Sequence, residues 1–472
     1  MLIKAAITKA MITKATLNNM SMNLQYVLVG DMSWQTQAEW QTPDTPFMSF
    51  AFWQALIDTG AIGEAAGWLP LFILVLRDDK SEIEDKSAQN KTQPIAVMPV
   101  FIKGHHQGEF VFDYAWAEAY ARYGLDYYPR LVTSVPFTPI TGARLWLATG
   151  EVLTSDIIKV ALAGVDDIAK QVGASGWHGL FVSADMATMA SRAFPVSESI
   201  NKPLNQYTAS SAEHASGLDK RFNNPILERQ GCQFLWQNKD LLNDSQPFAD
   251  FEAFLMSLTA KKRKNIRAER RKVAAQGITC TRKCAEAITD ADWQRFYQCY
   301  VMTYAVRGQQ PYLSLDFFMA LAASMPEHLM LAQAYDAQHT VIASSLFLYD
   351  TPDNGVHKDN KTPTLYGRYW GALGEYDSLH FELCYYQGLE FAIEHGLTSF
   401  DPGTQGEHKL IRGFIPTTTH SLHRIYDARF VPAIHNFCVQ ERLQMAEYRQ
   451  HAHAALPFNA DNMPVFADAT HK

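Results

Sequence analysis

Cysteine is scarce. Cys232, Cys280, Cys284, Cys299, Cys384 and Cys438 are the only six in 472 residues, too few to make the disulfide framework of a small secreted domain. Cys280 and Cys284 lack a second pair, so they read as small buried residues and no metal site is expected. No run of 18 apolar residues occurs, which leaves no candidate transmembrane helix. The opening "MLIKAAITKAMITKATLNNMSMNL" has lysines but no continuous apolar core or cleavage site, and makes a poor signal peptide. A frayed tail over 1–22 is expected, whether translation starts at Met1 or near Met20 or Met22. There is also no GxSxG elbow and no cysteine beside a convincing base, so no covalent nucleophile is indicated. These absences point to a cytoplasmic protein.

What is present is a globular composition, 47% hydrophobic and 19% charged, over a length that calls for two or three domains. The net charge is −8. One stretch departs from it: "AKKRKNIRAERRK" (260–272) holds eight cations and one acid, a local +7, so the remainder carries −15. A protein gripping a polyanion with its whole surface would not distribute charge this way. The cationic partner surface, if any, is local.

A faint internal repeat runs through the chain. "SFAFWQAL" (49–56) and "SLDFFMAL" (314–321) each begin with a serine suited to N-capping a helix. Two apolar strands follow in each half, "LFILVLRD" then "PIAVMPVFIK", and "HLMLAQAYD" then "TVIASSLFLYD". An aromatic strand ending in Trp comes next, "EFVFDYAW" to Trp116 and "TLYGRYW" to Trp370. A helix over 153–172 or 378–395 then stops at Gly173 or Gly396 before a further strand, "GLFVS" or "LTSFD". The order predicts two α/β domains of similar build with mixed, largely antiparallel sheets. They are expected over 23–240 and 241–455, with a C-terminal tail over 456–472. The polar stretches 78–93 and 350–363 and the insertion 196–225 are expected as loops.

The basic run sits inside a predicted helix over 260–276, with Thr259 as N-cap and Gly277 as stop. Ile266 and Val273 fall on one stripe and form its buried contact. Arg263 and Arg270 flank that stripe, and Lys264, Arg267, Arg271 and Lys272 point outward. Eight cations with one intervening acid repel one another at i,i+3 and i,i+4, which a bound anion would relieve.

"LTAKKRKNIRAERRKVAAQGIT", "YGRYWGALGEYDSLHFELCYYQGLEFAIEHGL", "FDPGTQGEHKLIRGF" and the stretch 108–145 together resemble the bacterial predicted N-acyltransferase family related to the FemAB aminoacyltransferases, a "peptidoglycan biosynthesis/recognition" family. The resemblance spans roughly residues 42–450. It implies tandem GNAT-like domains and transfer of an acyl or aminoacyl group to an amine, with cell-wall precursors as the acceptor class. It implies no permanently bound cofactor: the donor is an acyl-CoA or an aminoacyl-tRNA. Acetyl-CoA enzymes of this fold carry a Q/R-x-x-G-x-G/A loop whose backbone amides cradle pyrophosphate. Here the corresponding "WGALGEYDSLHFE" does not fit it.

Aminolysis of an ester or thioester needs a deprotonated amine, donors for the developing oxyanion, and positioning. "GTQGEHKLIRGF" (403–414) crowds polar groups onto one glycine-containing loop after a strand, as active-site loops do. Glu407 or His408 is the expected base or amine ligand, Lys409 and Arg412 the anion contacts, and Gln405 a further substrate contact. Tyr366, Arg368 and Trp370 fall at alternate positions of a strand and should line one face of a cleft. Glu109, Asp113 and Trp116 are read as lining a strand of an acceptor wall. Phosphate of a precursor, or of tRNA, is expected against Arg263, Arg267 and Arg270. No obligate protein partner is indicated. The rival readings are a nucleic-acid-binding module that tracks phosphates along the basic helix, and a non-catalytic domain that binds a cell-wall precursor.

Overall fold

The computed structural model describes residues 15–16, 24–78, 92–197, 224–351, 363–404 and 406–466. The stretches 78–93 and 350–363, the insertion 196–225 and most of the 1–22 tail lie largely outside the described residues, as does Gln405.

Two compact units emerge, and neither is contiguous. The first comprises Met1–Pro43, Ile62–Gly231 and Thr419–Gln444; the second comprises Asp44–Ala61, Cys232–Thr418 and Met445–Lys472. One cut near residue 240 therefore does not describe the chain. Helix α1 (Phe50–Asp58), from the first half of the sequence, belongs to the second unit. Residues after 455 are not simply a tail either, because Leu456 is buried and Thr259 N–H donates to Pro457 O at 2.8 Å.

The first unit contains β1 (Ala15–Thr16), β2 (Leu24–Val29), β3 (Trp68–Asp78), β4 (Thr92–Lys103), β5 (Arg130–Thr133), β6 (Trp146–Leu147), β7 (Gly176–Val182) and the Thr419–Ile425 part of β14 (Ile415–Ile425). Its sheet runs β1–β2–β3–β4–β5–β7–β14, with β6 paired to β4. Among the described residues of this sheet, only the strands β5 and β7 are parallel neighbours. Helices α2 (Tyr114–Arg122), α3 (Ser155–Val172) and α4 (Ala184–Ala193), with the first part of a long helix over Val431–Ala454, belong to the same unit. The crossover from β5 to β7 is α3, which starts where the Thr154 hydroxyl accepts the Ile157 N–H and ends at left-handed Gly173. Its stripe of Ile157, Ala161, Val165 and Ile168 is buried with Ile73, Val75, Met98 and Leu131. Each of the Ile, Val, Leu and Met side chains contributes roughly 1.5–3 kcal/mol when fully buried.

The second unit contains β8 (Leu227–Gln237, from Cys232 onward), β9 (Thr279–Cys284), β10 (Leu329–Tyr335), β11 (Val341–Tyr349), β12 (Thr364–Ala372) and β13 (Ser399–Asp401), ordered β8–β13–β12–β11–β10–β9. Again one pair is parallel, β12 with β13. Around this sheet lie α1, α5 (Phe251–Ser257), α6 (Ala260–Ala275), α7 (Asp290–Ala305) and α8 (Leu315–Ser324). The β12–β13 crossover is α9 (Leu379–Phe381), a π-helical turn (Glu382–Tyr386) and α10 (Gln387–Glu394). The long α11 (Val431–Ala454) contributes its last turns here. Antiparallel strands, a crossover helix and a parallel strand thus recur in both units. These are the two α/β units of similar build, with mixed, largely antiparallel sheets, that the repeat implied.

The repeat misleads in two places. Ser49 and Ser314 do cap their helices, each accepting the N–H three residues on. However, α1 and α8 lie together in the second unit, with the Phe52 and Phe317 rings 5.7 Å apart. And "EFVFDYAW" is not a strand: Phe110 is left-handed, Asp113 precedes α2 and Trp116 lies within it. The strand that matches β12 is β5. Buried charge explains the difference, because Arg130 binds both Glu109 and Asp113 and draws that segment out of extended form.

Candidate active site

Strands β12 and β13 pair only from Thr364 to Tyr366 against Ser399 to Asp401. Then they separate. After Asp401 come Pro402, which has no N–H to continue a ladder, and Gly403 at φ +84°. β12 continues to Ala372, and a bulge in its pairing with β11 falls at Leu346/Phe347, opposite Gly367–Tyr369. A cavity of about 230 Å³ occupies the opening. Its walls are Arg368, Tyr369 and Trp370 of β12, His380, Cys384 and Tyr385 of the crossover helix, and His408 and Lys409 of a 3-10 helix over Glu407–Arg412. The π-turn inserts one extra residue per turn, a feature frequent at functional sites.

His408 Nε2 and the Tyr385 hydroxyl are 2.7 Å apart. Burial, then Arg412 and Lys409, hold the His408 pKa below the ordinary 6.5, so at neutral pH the imidazole is uncharged and able to take a proton. His380, whose ring centre is 5.8 Å from that of His408, is pushed down to about 4 by burial and by His408, Arg412 and Lys409. Burial pushes the Cys384 thiol up to about 12, which excludes it as a thiolate nucleophile. Lys409 is buried, and its Nζ donates to Gly403 O at 2.6 Å and Thr404 O at 3.1 Å. Burial lowers its pKa to about 8, against the pull of Asp401. Arg368 donates to the Asp401 carboxylate at 2.7 Å, yet its buried Nε has no hydrogen-bond partner. The cavity therefore joins a neutral base to two cationic donors. Among the described residues, no group of three or more His, Cys, Asp or Glu side chains is placed to hold a metal ion.

The expected site residues divide sharply. His408, Lys409, Arg368 and Trp370 meet at the cavity. Glu407, one residue from His408, is exposed, and its carboxylate accepts from Tyr448 at 3.3 Å, so it does not line the opening. Arg412 is buried and committed, donating to Tyr386 Oη, His408 O and Glu269 at 2.8–2.9 Å with its guanidinium over the Phe381 ring. It braces the loop and is not a free anion contact. Tyr366 is buried against Phe47 and bonded to Asp350. The β12 bulge breaks the two-residue alternation, and Trp370 instead meets His380 with ring centres 5.2 Å apart. Tyr366 and Trp370 therefore do not share the expected face. Gln405 lies outside the described residues.

In the first unit, Glu109, Asp113 and Trp116 form no acceptor wall. Glu109 and Asp113 are buried on Arg130, with Lys103 Nζ 3.8 Å from Glu109, and Tyr127 donates to Asp113 at 2.6 Å. Burial raises Glu109 to about 7 and lowers Lys103 to about 7. Trp116 is buried with its ring 4.9 Å from His423.

The basic helix is α6. Ile266 and Val273 are its buried residues, as the stripe required. Half of its eight cations, however, are answered from within the unit. Arg270 binds Glu382 and Glu390, Arg267 binds Glu252, Lys272 binds Asp377, and Arg263 donates to Leu258 O. Glu382, at the start of the π-turn, thus pairs with Arg270. The acids that relieve i,i+4 repulsion come from other elements, which no reading of the helix alone could show. Lys261, Lys264 and Arg271 remain exposed. Sequence reasoning also missed Tyr385 as the partner of His408, because a π-turn carries no periodicity signal.

The cavity of the second unit opens where its parallel strand pair parts. The chain belongs to the FemAB-like family, described as peptidoglycan biosynthesis/recognition, whose model matches residues 28–460. No curated protein is significantly similar in sequence. Similar solved structures include L-PGS from Bacillus licheniformis, 10% identical over 86% of this chain and 98% of that one, TM-score 0.41. A tandem GNAT protein from the clavulanic acid biosynthesis pathway is 9% identical over 85% and 98%, TM-score 0.35. N-myristoyltransferase of Saccharomyces cerevisiae, with bound myristoyl-CoA, is 10% identical over 88% and 84%, TM-score 0.38. Among the described residues no helix is long and apolar enough to cross a membrane.

Proposed function

We propose that this chain transfers an acyl or aminoacyl group to an amine, in the cavity between β12 and β13, with a peptidoglycan precursor as the amine-bearing acceptor. The observation that carries the reading is the neutral His408 held 2.7 Å from Tyr385 where β12 loses its partner strand. The acceptor nitrogen attacks the donor carbonyl, forming a C–N bond as the ester C–O or thioester C–S bond breaks. The amine proton passes to the Tyr385 oxygen while the phenol proton passes to His408 Nε2, and the leaving group is protonated from that pair or from solvent. Lys409 and Arg368 Nε face the oxyanion that develops.

Both donor classes stay in play. The "WGALGEYDSLHFE" loop argues against ordinary acetyl-CoA binding, and an aminoacyl-tRNA would present phosphate to Lys261, Lys264 and Arg271. Six cysteines in 472 residues, too few for a disulfide framework, fit a cytoplasmic setting. The test incubates the purified chain with acyl-CoAs or aminoacyl-tRNAs and amine-bearing precursors, and reads amide products by mass. The expected result is a product with one donor class that is lost in His408→Gln. No product with any donor, together with saturable precursor binding, would instead make this a recognition domain.

A further inference from the structure

Glu269 is the single acid among the eight cations of α6. It stands three residues after Ile266 and four before Val273, so it shares the stripe that faces the protein body. An apolar residue would be the ordinary choice there, because a carboxylate on a packing face is costly unless it is paired and hydrogen-bonded. Two side chains satisfy it. Its Oε2 accepts from the Tyr386 hydroxyl and from Arg412 Nη2, the latter at 2.8 Å. Arg412 Nε also donates to the Tyr386 oxygen at 2.9 Å, so the three groups bond one another pairwise.

Both partners lead to the proposed base. Arg412 is 1% exposed and donates through Nη1 to His408 O at 2.8 Å. Its guanidinium lies 3.5 Å from the centre of the Phe381 ring, which packs 5.8 Å from the His408 ring. Tyr386 follows Tyr385 directly in the π-turn, and the two phenols diverge, one to Glu269 and the other to His408 Nε2. One carboxylate therefore anchors both halves of the pair. It holds the loop bearing His408 through Arg412, and the turn bearing Tyr385 through Tyr386. The acids that other elements bring to α6 answer its own cations instead: Glu252 meets Arg267, Asp377 meets Lys272, and Glu382 and Glu390 meet Arg270.

We propose that Glu269 is a positioning residue, which sets the separation of the Tyr385 hydroxyl and His408 Nε2 through Arg412 and Tyr386. The use of that pair for proton transfer rests on the proposed acyl transfer; the positioning itself does not.

The test uses two readouts on the full chain. With isotope-labelled histidine, the His408 imidazole resonance, assigned by its loss in His408→Gln, reports titration without any substrate. That ring is faced by Tyr385, His380, Lys409 and Arg412, and burial, then Arg412 and Lys409, hold its pKa below 6.5. Glu269→Ala loosens the loop and releases Arg412, so the His408 pKa should rise toward 6.5 with circular dichroism unchanged. Glu269→Gln, which keeps an acceptor for both partners, should restore most of the natural behaviour. In amide formation, Glu269→Ala should lower kcat about 10- to 100-fold with KM little changed. Glu252→Gln, which removes an equal charge from a surface ion pair on α6, should match the natural chain. A His408 titration unchanged in Glu269→Ala or, where that variant does not fold, in Tyr386→Phe would overturn the positioning role, as would equal kcat losses in Glu269→Ala and Glu252→Gln. A chain that forms no amide yet shows the His408 shift in Glu269→Ala would overturn the acyl transfer and support the positioning.

Discussion

At the scale of single residues, the loop "GTQGEHKLIRGF" shows why glycine is needed beside the base. Gly406 sits at φ +100°, and a Cβ built there would lie 2.2 Å from the His408 ring. Gly406→Ala is strained twice, by its backbone and by the ring it would displace. It should lower kcat about 10- to 100-fold through misplacement of the imidazole, while costing roughly 1–3 kcal/mol in a urea melt. Full activity in Gly406→Ala would show that the ring position is irrelevant. The loop was legible in the sequence because its glycines and polar groups follow a strand. Which polar group does what was not. Glu407 and His408 are neighbours in the chain, yet one faces water and the other Tyr385. Lys409 and Arg412 look alike as anion contacts until their acceptors are seen, and Arg412 has none to spare.

At the scale of elements, α6 was read correctly in extent and buried stripe, and incompletely in its electrostatics. Ile266, Val273 and Gly277 are local signals that survive folding, while Thr259 stands at the N-cap position without a side-chain capping bond. The partners of Arg270 are more than a hundred residues away in sequence. Glu382 is buried, so removing its partner leaves a carboxylate with only Gln387 beside it. Arg270→Met should therefore destabilise the chain by about 2–4 kcal/mol, seen as a lower midpoint in urea. Lys264→Ala and Arg271→Ala, at exposed positions, should stay within about 0.5 kcal/mol. Equal effects from all three would mean that the Arg270 pairs do not organise the helix. Strand β12 teaches the complementary lesson. Alternation predicted a shared face for Tyr366, Arg368 and Trp370, and one bulge set by its pairing with β11 redirected it.

At the scale of the molecule, the repeat revealed the α/β plan twice over but not which segments build which unit. Sequence order cannot show that Asp44–Ala61 belongs with the second unit, where Phe52 meets Phe317. A fragment of residues 232–472 should therefore expose Phe317 and Phe318, bind a hydrophobic dye and melt without cooperativity; fusing residues 44–61 back should restore a sharp transition. A cooperative fragment without that segment would contradict the division. The account as a whole rests on one base in one cavity, and kcat for amide formation against pH, in the natural chain, His408→Gln and Glu407→Gln, tests it most directly. His408 is active when unprotonated and its pKa lies below 6.5, so kcat should hold level down to that pH and fall only beneath it. His408→Gln should lose about 10²–10⁴-fold and that acid limb with it, while Glu407→Gln follows the natural chain; a loss confined to Glu407→Gln, or a His408→Gln enzyme with an unchanged profile, would contradict the account.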